Sequence, residues 1–121
     1  MQLDHFNITA PWSQLLQVRD FYTNVLGLIE GERPNLKNNG FWLYGNGKPI
    51  VHLMEGEVSE QQATKPYLDH MAFLTEDLQP IKQQLDSMGV ASEQRDVPGR
   101  NLRQLVFFDP VGIKVEVNAL V

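Results

Sequence analysis

The chain has 121 residues, 42% of them hydrophobic and 21% charged, with a formal net charge of −5. That length and composition suit one compact soluble domain and exclude a disordered chain, while the acidic balance excludes a partner held through nucleic-acid phosphates and no apolar run nears the roughly 20 residues of a membrane span. There is no cysteine, which removes disulfides, thiolate metal sites and cysteine nucleophiles, and MQLDHFNITAPW has no basic start and apolar run of a secretory signal, so a cytoplasmic location is expected.

Taken in chain order, the first element is a strand at LDHFNI (3–8), β-branched and aromatic enough to pair. Leu15, Val18, Tyr22 and Val25 follow with a 3.6-residue period, so a helix runs from near Pro11 to Gly27. Three strands are predicted next, near Leu28–Arg33, Gly40–Leu43 and Ile50–Met54, separated by the turn signals NNG (38–40) and GNG (45–47). The polar segment EGEVSEQQATKPY (55–67) reads as a linker. LDHMAFL (68–74) opens a second strand–helix run, in which Leu78, Ile81, Leu85 and Met88 form the apolar stripe. Thr75 or Asp77 is the expected cap, Pro80 fits the first turn, and Gly89 ends the helix. Strands near Ala91–Gln94, Arg103–Phe107 and Lys114–Asn118 complete it, with turns at VPG (97–99) and DPVG (109–112).

The two runs are one unit written twice. LDHFNI matches LDHMAF at an offset of 65, VLGLIE (25–30) resembles SMGVAS (87–92), and GNGKPIVHL (45–53) aligns with DPVGIKVEV (109–117) at offset 64. The expected fold is therefore α+β, two βαβββ modules at about 1–56 and 66–121 within a single domain spanning 1–121.

The repeat also sorts the chemistry-bearing residues. His5 and His70 occupy equivalent slots on the first strand of each module, and His52 and Glu116 occupy equivalent slots on the last. Strand alternation puts Leu3, His5 and Asn7 on one face, sets Ile50, His52 and Met54 apart from Val51 and Leu53, and groups Lys114, Glu116 and Asn118. Imidazole and carboxylate donors without thiolate suit a divalent ion such as Fe(II), Mn, Co, Ni or Zn. Arg95 and Arg100 read as solvated loop residues, whereas Arg103, at a strand start, and the aromatic Trp42 are candidates for substrate contact. No phosphate-cradling glycine loop and no serine nucleophile elbow is present.

LDHFNI, VRDFYTNVLGL, GKPIVHL, LDHMAF and FFDPVGIKVEVN together resemble the vicinal oxygen chelate superfamily, which includes glyoxalase I, fosfomycin-resistance proteins and extradiol dioxygenases. The resemblance implies a cup-shaped mixed sheet around an open-sided metal, with His5, His70 and Glu116 as a two-histidine, one-carboxylate set. It places His52 where glyoxalase I proteins carry a glutamate that serves as ligand and base, leaving His52 as a fourth ligand or a proton acceptor. The implied activity is a metal-dependent glyoxalase-like lyase or isomerase acting on a small molecule with vicinal oxygens, in a homodimer. An extradiol-type ring-cleaving dioxygenase, a fosfomycin-type thiol transferase, and a non-catalytic binder like the bleomycin-resistance proteins are the alternatives.

Overall fold

The computed structural model describes residues 2–57, 70–99 and 101–121. Most of the expected linker, Leu68 and Asp69 at the head of the second repeat, and Arg100 lie outside the described residues. The chain divides into two compact units, Met1–Pro66 and Tyr67–Val121.

In the first unit the elements are β1 (Phe6–Ala10), α1 (Trp12–Leu26), β2 (Ile29–Gly31), β3 (Gly40–Gly45) and β4 (Lys48–Glu55). They form a mixed sheet in the order β1-β4-β3-β2, with β1 parallel to β4 and the other pairs antiparallel. Leu43, Val51, Leu53, Ile8 and Ala10 project from one face and are buried, and the helix supplies Leu15, Val18, Phe21, Tyr22 and Val25 to the same core. The predicted helical stripe is therefore the stripe that is buried, because burial of apolar area drives both patterns. Gly27 takes φ 69° and its N–H bonds the Tyr22 carbonyl, which ends α1. β1 starts at Phe6 rather than Leu3, so His5 stands just ahead of the ladder. β2 is shorter than predicted; Pro34 lies close behind it and cannot donate to a ladder.

The second unit repeats the plan with β5 (His70–Leu74), α2 (Gln79–Ser87), β6 (Ser92–Val97), β7 (Leu102–Phe108) and β8 (Lys114–Leu120), in the order β5-β8-β7-β6. Again the first and last strands are parallel and the rest antiparallel. Met71, Leu105, Phe107, Val115 and Val117 share one pleat face and are buried, as are Ile81 and Leu85 of α2. The N-cap is Leu78, without a side-chain cap bond, rather than Thr75 or Asp77; Asp77 stands just ahead of it, its Oδ1 accepting the Gln79 N–H at 2.9 Å. Met88 sits at the C-cap and is exposed, so the stripe is one residue shorter than its spacing suggested.

Each unit closes its last hairpin with a specified turn. Asn46 and Gly47, at φ 52° and 76°, join β3 to β4 through the two-residue turn that Asn-Gly favours. In the DPVG turn, Asp109 Oδ1 accepts the N–H groups of Val111 at 3.0 Å and Ile113 at 2.8 Å, and Gly112 takes φ 85°. These turns set the registers that deliver His52 and Glu116 to their positions.

Candidate functional site

In each unit the sheet face turned away from the apolar core carries the polar residues. In the first unit His52 on β4 lies opposite Trp42 on β3 and Asn7 on β1. The Trp42 and His52 rings stack at 4.1 Å between centroids, and the His5 and His52 rings at 3.8 Å, both within 11° of parallel. Trp42, His52 and His5 thus form one column of three rings.

Hydrogen bonds assign the nitrogens within that column. His5 Nδ1 lies 2.6 Å from Asp4 Oδ2; a carboxylate only accepts, so Nδ1 is the donor, and in the tautomer that this bond favours Nε2 carries the lone pair. The hydrogen bond from His5 holds the Asp4 carboxyl below the usual carboxylate range. A carboxylate behind the far nitrogen is the arrangement that orients metal-binding imidazoles. His52 Nε2 donates to the Pro49 carbonyl at 3.0 Å, which leaves Nδ1 as the acceptor. Burial, and then the neighbouring His5, push the His52 pKa down, so His52 is a neutral imidazole near pH 7.

Stacking limits what the two imidazoles can do together. Ring lone pairs lie in the ring plane, and near-parallel planes 3.8 Å apart do not meet. Only one of the pair can aim in-plane at an ion roughly 2.0–2.1 Å away.

In the second unit the corresponding slots hold His70 and Glu116. They sit on parallel neighbours β5 and β8, two residues out of register, so both project from one face. His70 Nε2 is 3.5 Å from Glu116 Oε2. Glu116 is buried, and its Oε2 also accepts a hydrogen bond from Gln104 Nε2 at 2.8 Å, while Arg95 Nη2 stands 3.7 Å from Oε1. Farther along β8 on that face, Asn118 Oδ1 is buried with no donor among the described residues.

The donor chemistry fits a divalent ion. His70 and Glu116 present one nitrogen and one oxygen side by side, and His5 offers Nε2 braced by Asp4. Among the described residues no group of three or more His, Asp or Glu is gathered for one ion.

The two substrate candidates fall differently. Trp42 is part of the ring column. Arg103 points from the pleat face opposite Gln104, with Leu105, and its Nε donates to Asp96 across the β6–β7 pair at 2.8 Å. Phe41, Trp42's neighbour, faces the core side, stacked on Trp12 with the Arg19 guanidinium 4.8 Å above its ring. Arg95, read from sequence as a loop residue, lies in β6 and bonds Gln104. Gln104 and Asp4 carried no sequence signal of their own, since a glutamine does not titrate and an exposed aspartate is ordinary. Strand alternation counted outward from Glu116 is the clue that reaches Gln104.

Comparison with known proteins adds the lineage. The model of the "Glyoxalase/Bleomycin resistance protein/Dioxygenase superfamily" matches residues 2–117. No curated protein matches the chain. Among solved structures, a glyoxylase/bleomycin resistance protein/dioxygenase domain from Frankia sp. EAN1pec is 22% identical, with a TM-score of 0.80 over 100% of this chain and 98% of that one. An integron cassette protein from the mobile metagenome of the Halifax Harbour sewage outfall is 26% identical, with a TM-score of 0.70 over 98% of each chain. A mutant of the genomically encoded fosfomycin resistance protein FosX from Listeria monocytogenes, complexed with Mn(II) and 1S,2S-dihydroxypropylphosphonic acid, is 16% identical, with a TM-score of 0.75 over 99% of this chain and 92% of that one. No described helix is long and apolar enough to cross a membrane.

Proposed function

The chain belongs to the glyoxalase/bleomycin resistance protein/dioxygenase superfamily, and we propose that it is a metal-dependent lyase or isomerase acting on a small molecule with two vicinal oxygens. The observation that carries this reading is the His70–Glu116 pair, a nitrogen and a buried carboxylate oxygen 3.5 Å apart at slots that the first repeat fills with His5 and His52. His5, His70 and Glu116 are the proposed ligands of the ion. A divalent ion bound there supplies Lewis-acid polarisation of the substrate oxygens.

The other residues do the rest. Asp4 keeps the proton of His5 on Nδ1, so that Nε2 is the ligand atom. His52, already a donor to Pro49 through Nε2, accepts the substrate proton at Nδ1, and its neutral state suits a base at pH 7. Trp42 clamps the His52 ring from the other side and offers its indole edge to the substrate. The active species is a homodimer, the commonest closed assembly of soluble chains, and sedimentation at micromolar concentration checks it.

A second reading, a non-catalytic small-molecule binder, is favoured by one observation: among the described residues no three donors are gathered for one ion. One experiment separates the two. Elemental analysis of the purified protein is expected to find about one divalent ion per chain, lost in His70→Ala and in Glu116→Gln while the fold persists. A metal-free protein that still does not take up Mn(II), Co(II), Ni(II), Zn(II) or Fe(II) sinks the enzyme reading and leaves the binder. If Fe(II) alone supports turnover, and only with catechols and oxygen, the protein is an extradiol-type dioxygenase.

A further inference from the structure

A polar line in the second unit runs from the half-exposed Arg95 through the buried Gln104 to Glu116. On the polar face of the sheet, Arg95 of β6 lies directly opposite Gln104 of β7, and Gln104 lies one diagonal step from Glu116 of β8. Arg95 Nε donates to Gln104 Oε1 at 2.8 Å, and Gln104 Nε2 donates to Glu116 Oε2 at 2.8 Å. Gln104 is 8% exposed and Glu116 7%, so bulk water is not a substitute partner for the bond between them.

The chemistry of the three groups gives this line a direction. A guanidinium only donates and a carboxylate only accepts. An amide between them satisfies both with a single orientation, oxygen toward Arg95 and NH₂ toward Glu116. Turned over, it would set a carbonyl oxygen against a carboxylate and an amide N–H against a guanidinium. Arg95 therefore acts on Glu116 chiefly by fixing which way Gln104 faces. Its own nearest approach to the carboxylate, 3.7 Å from Nη2 to Oε1, is longer than a good hydrogen bond.

A glutamate ligand needs such help. Its terminal torsion is broad, so the carboxylate plane turns easily unless something holds it. The Gln104 bond occupies one lone pair of Oε2 and fixes the plane, with His70 Nε2 3.5 Å from the same oxygen. An uncharged donor orients the carboxylate while leaving its negative charge for a cation. A lysine in that place would compete with the ion.

From this geometry we infer that Gln104 is a positioning residue for Glu116 as a metal ligand, and that Arg95 is in turn the positioning residue for Gln104; the inference rests on the reading of Glu116 as a ligand given above. Removing an outer partner of a metal ligand typically lowers metal affinity about 10–100-fold.

The test is a double-mutant cycle on Co(II) binding by the full chain, read by titration and by the visible absorption of the bound ion, with circular dichroism confirming the fold. Gln104→Met keeps the side-chain volume and removes both hydrogen bonds. It is expected to lower Co(II) affinity about 10–100-fold and to shift the Co(II) bands, because a freed carboxylate changes the geometry around the ion. Arg95→Met, on a half-exposed side chain of an edge strand, keeps the test alive if Gln104→Met does not fold. It is expected to weaken binding less, since the amide then spends part of its time reversed. The double variant should bind no worse than Gln104→Met alone. Affinity and bands unchanged in folded Gln104→Met, or in Arg95→Met where that variant stands in for it, overturn the inference while the wild type still binds Co(II). Additive losses overturn the place given to Arg95. A wild-type protein that binds no Co(II) removes the ligand reading of Glu116 itself, and the inference with it.

Discussion

Arginine and aspartate face each other across the β6–β7 pair at Arg103 and Asp96, and what they do follows from their exposure. The hydrogen bond from Arg103, reinforced by its charge, holds the Asp96 carboxyl below the usual carboxylate range and pushes the Arg103 guanidinium up. A carboxyl lowered in the folded state stabilises the fold above the usual carboxylate range, and that contribution is lost as pH falls through the lowered value. Both side chains are solvent-exposed, so the contribution is small and salt-sensitive. The sharp observable is the titration itself. Following the Asp96 carboxyl carbon by NMR in Arg103→Met should show its pKa climbing back to the usual carboxylate value. A titration curve that does not move means that Arg103 is not the partner in solution and is available to a substrate instead. The sequence could not reveal this pairing, because it depends on which residue of β6 stands opposite residue 103. Gln104 was hidden for the same reason, lying next to Glu116 only through the register of β7 on β8. The correspondence of His5 with His70 was legible because the repeat writes LDH twice, although His5 stands just before β1 and His70 opens β5.

Among the elements, the hairpins that deliver β4 and β8 make the most specific demands on residue type. Gly112 has φ 85° and open space around the position a Cβ would take, so a substitution there costs backbone strain alone. Gly40 has an ordinary φ, but a Cβ there would come 2.0 Å from the Leu53 carbonyl oxygen. Two substitutions therefore rank in opposite order at the two sites. At Gly112, alanine should cost about 1–2 kcal/mol and asparagine less, because asparagine tolerates the left-handed region. At Gly40, alanine should cost about 1–3 kcal/mol by overpacking against backbone, and asparagine more. Urea unfolding midpoints of the four variants check the ranking; the same order at both sites would refute it. These demands also explain why the elements were largely readable. Asn-Gly and Asp-Pro-x-Gly encode their turns locally, and the helix stripe at 15, 18, 22 and 25 encodes its buried face locally. Strand limits were less readable, since β1 begins only where Phe6 finds Val51 on the parallel strand β4, brought there by the whole intervening chain.

For the whole molecule, the division of donors between the two units is the decisive feature. His5 and His52 belong to Met1–Pro66, and His70 and Glu116 to Tyr67–Val121, while each unit keeps a sheet and a helix of its own. A ligand slows exchange of the amides in the elements that hold it. An ion bound as proposed would stabilise the strands that carry its ligands, by about 2.7 kcal/mol at one hundred times its Kd. Hydrogen exchange of the full chain should then slow in β4 and β8 over one range of Mn(II) concentration. His5→Ala should abolish the slowing in β8 as well, although the substitution lies in the other unit. The converse holds for His70→Ala and the amides of β4. If Mn(II) protects β5 and β8 alone, and His5→Ala leaves that protection intact, then His70 and Glu116 hold the ion within their own unit. His5 and His52, stacked with Trp42, would in that case form a separate ring column with a role in substrate contact only.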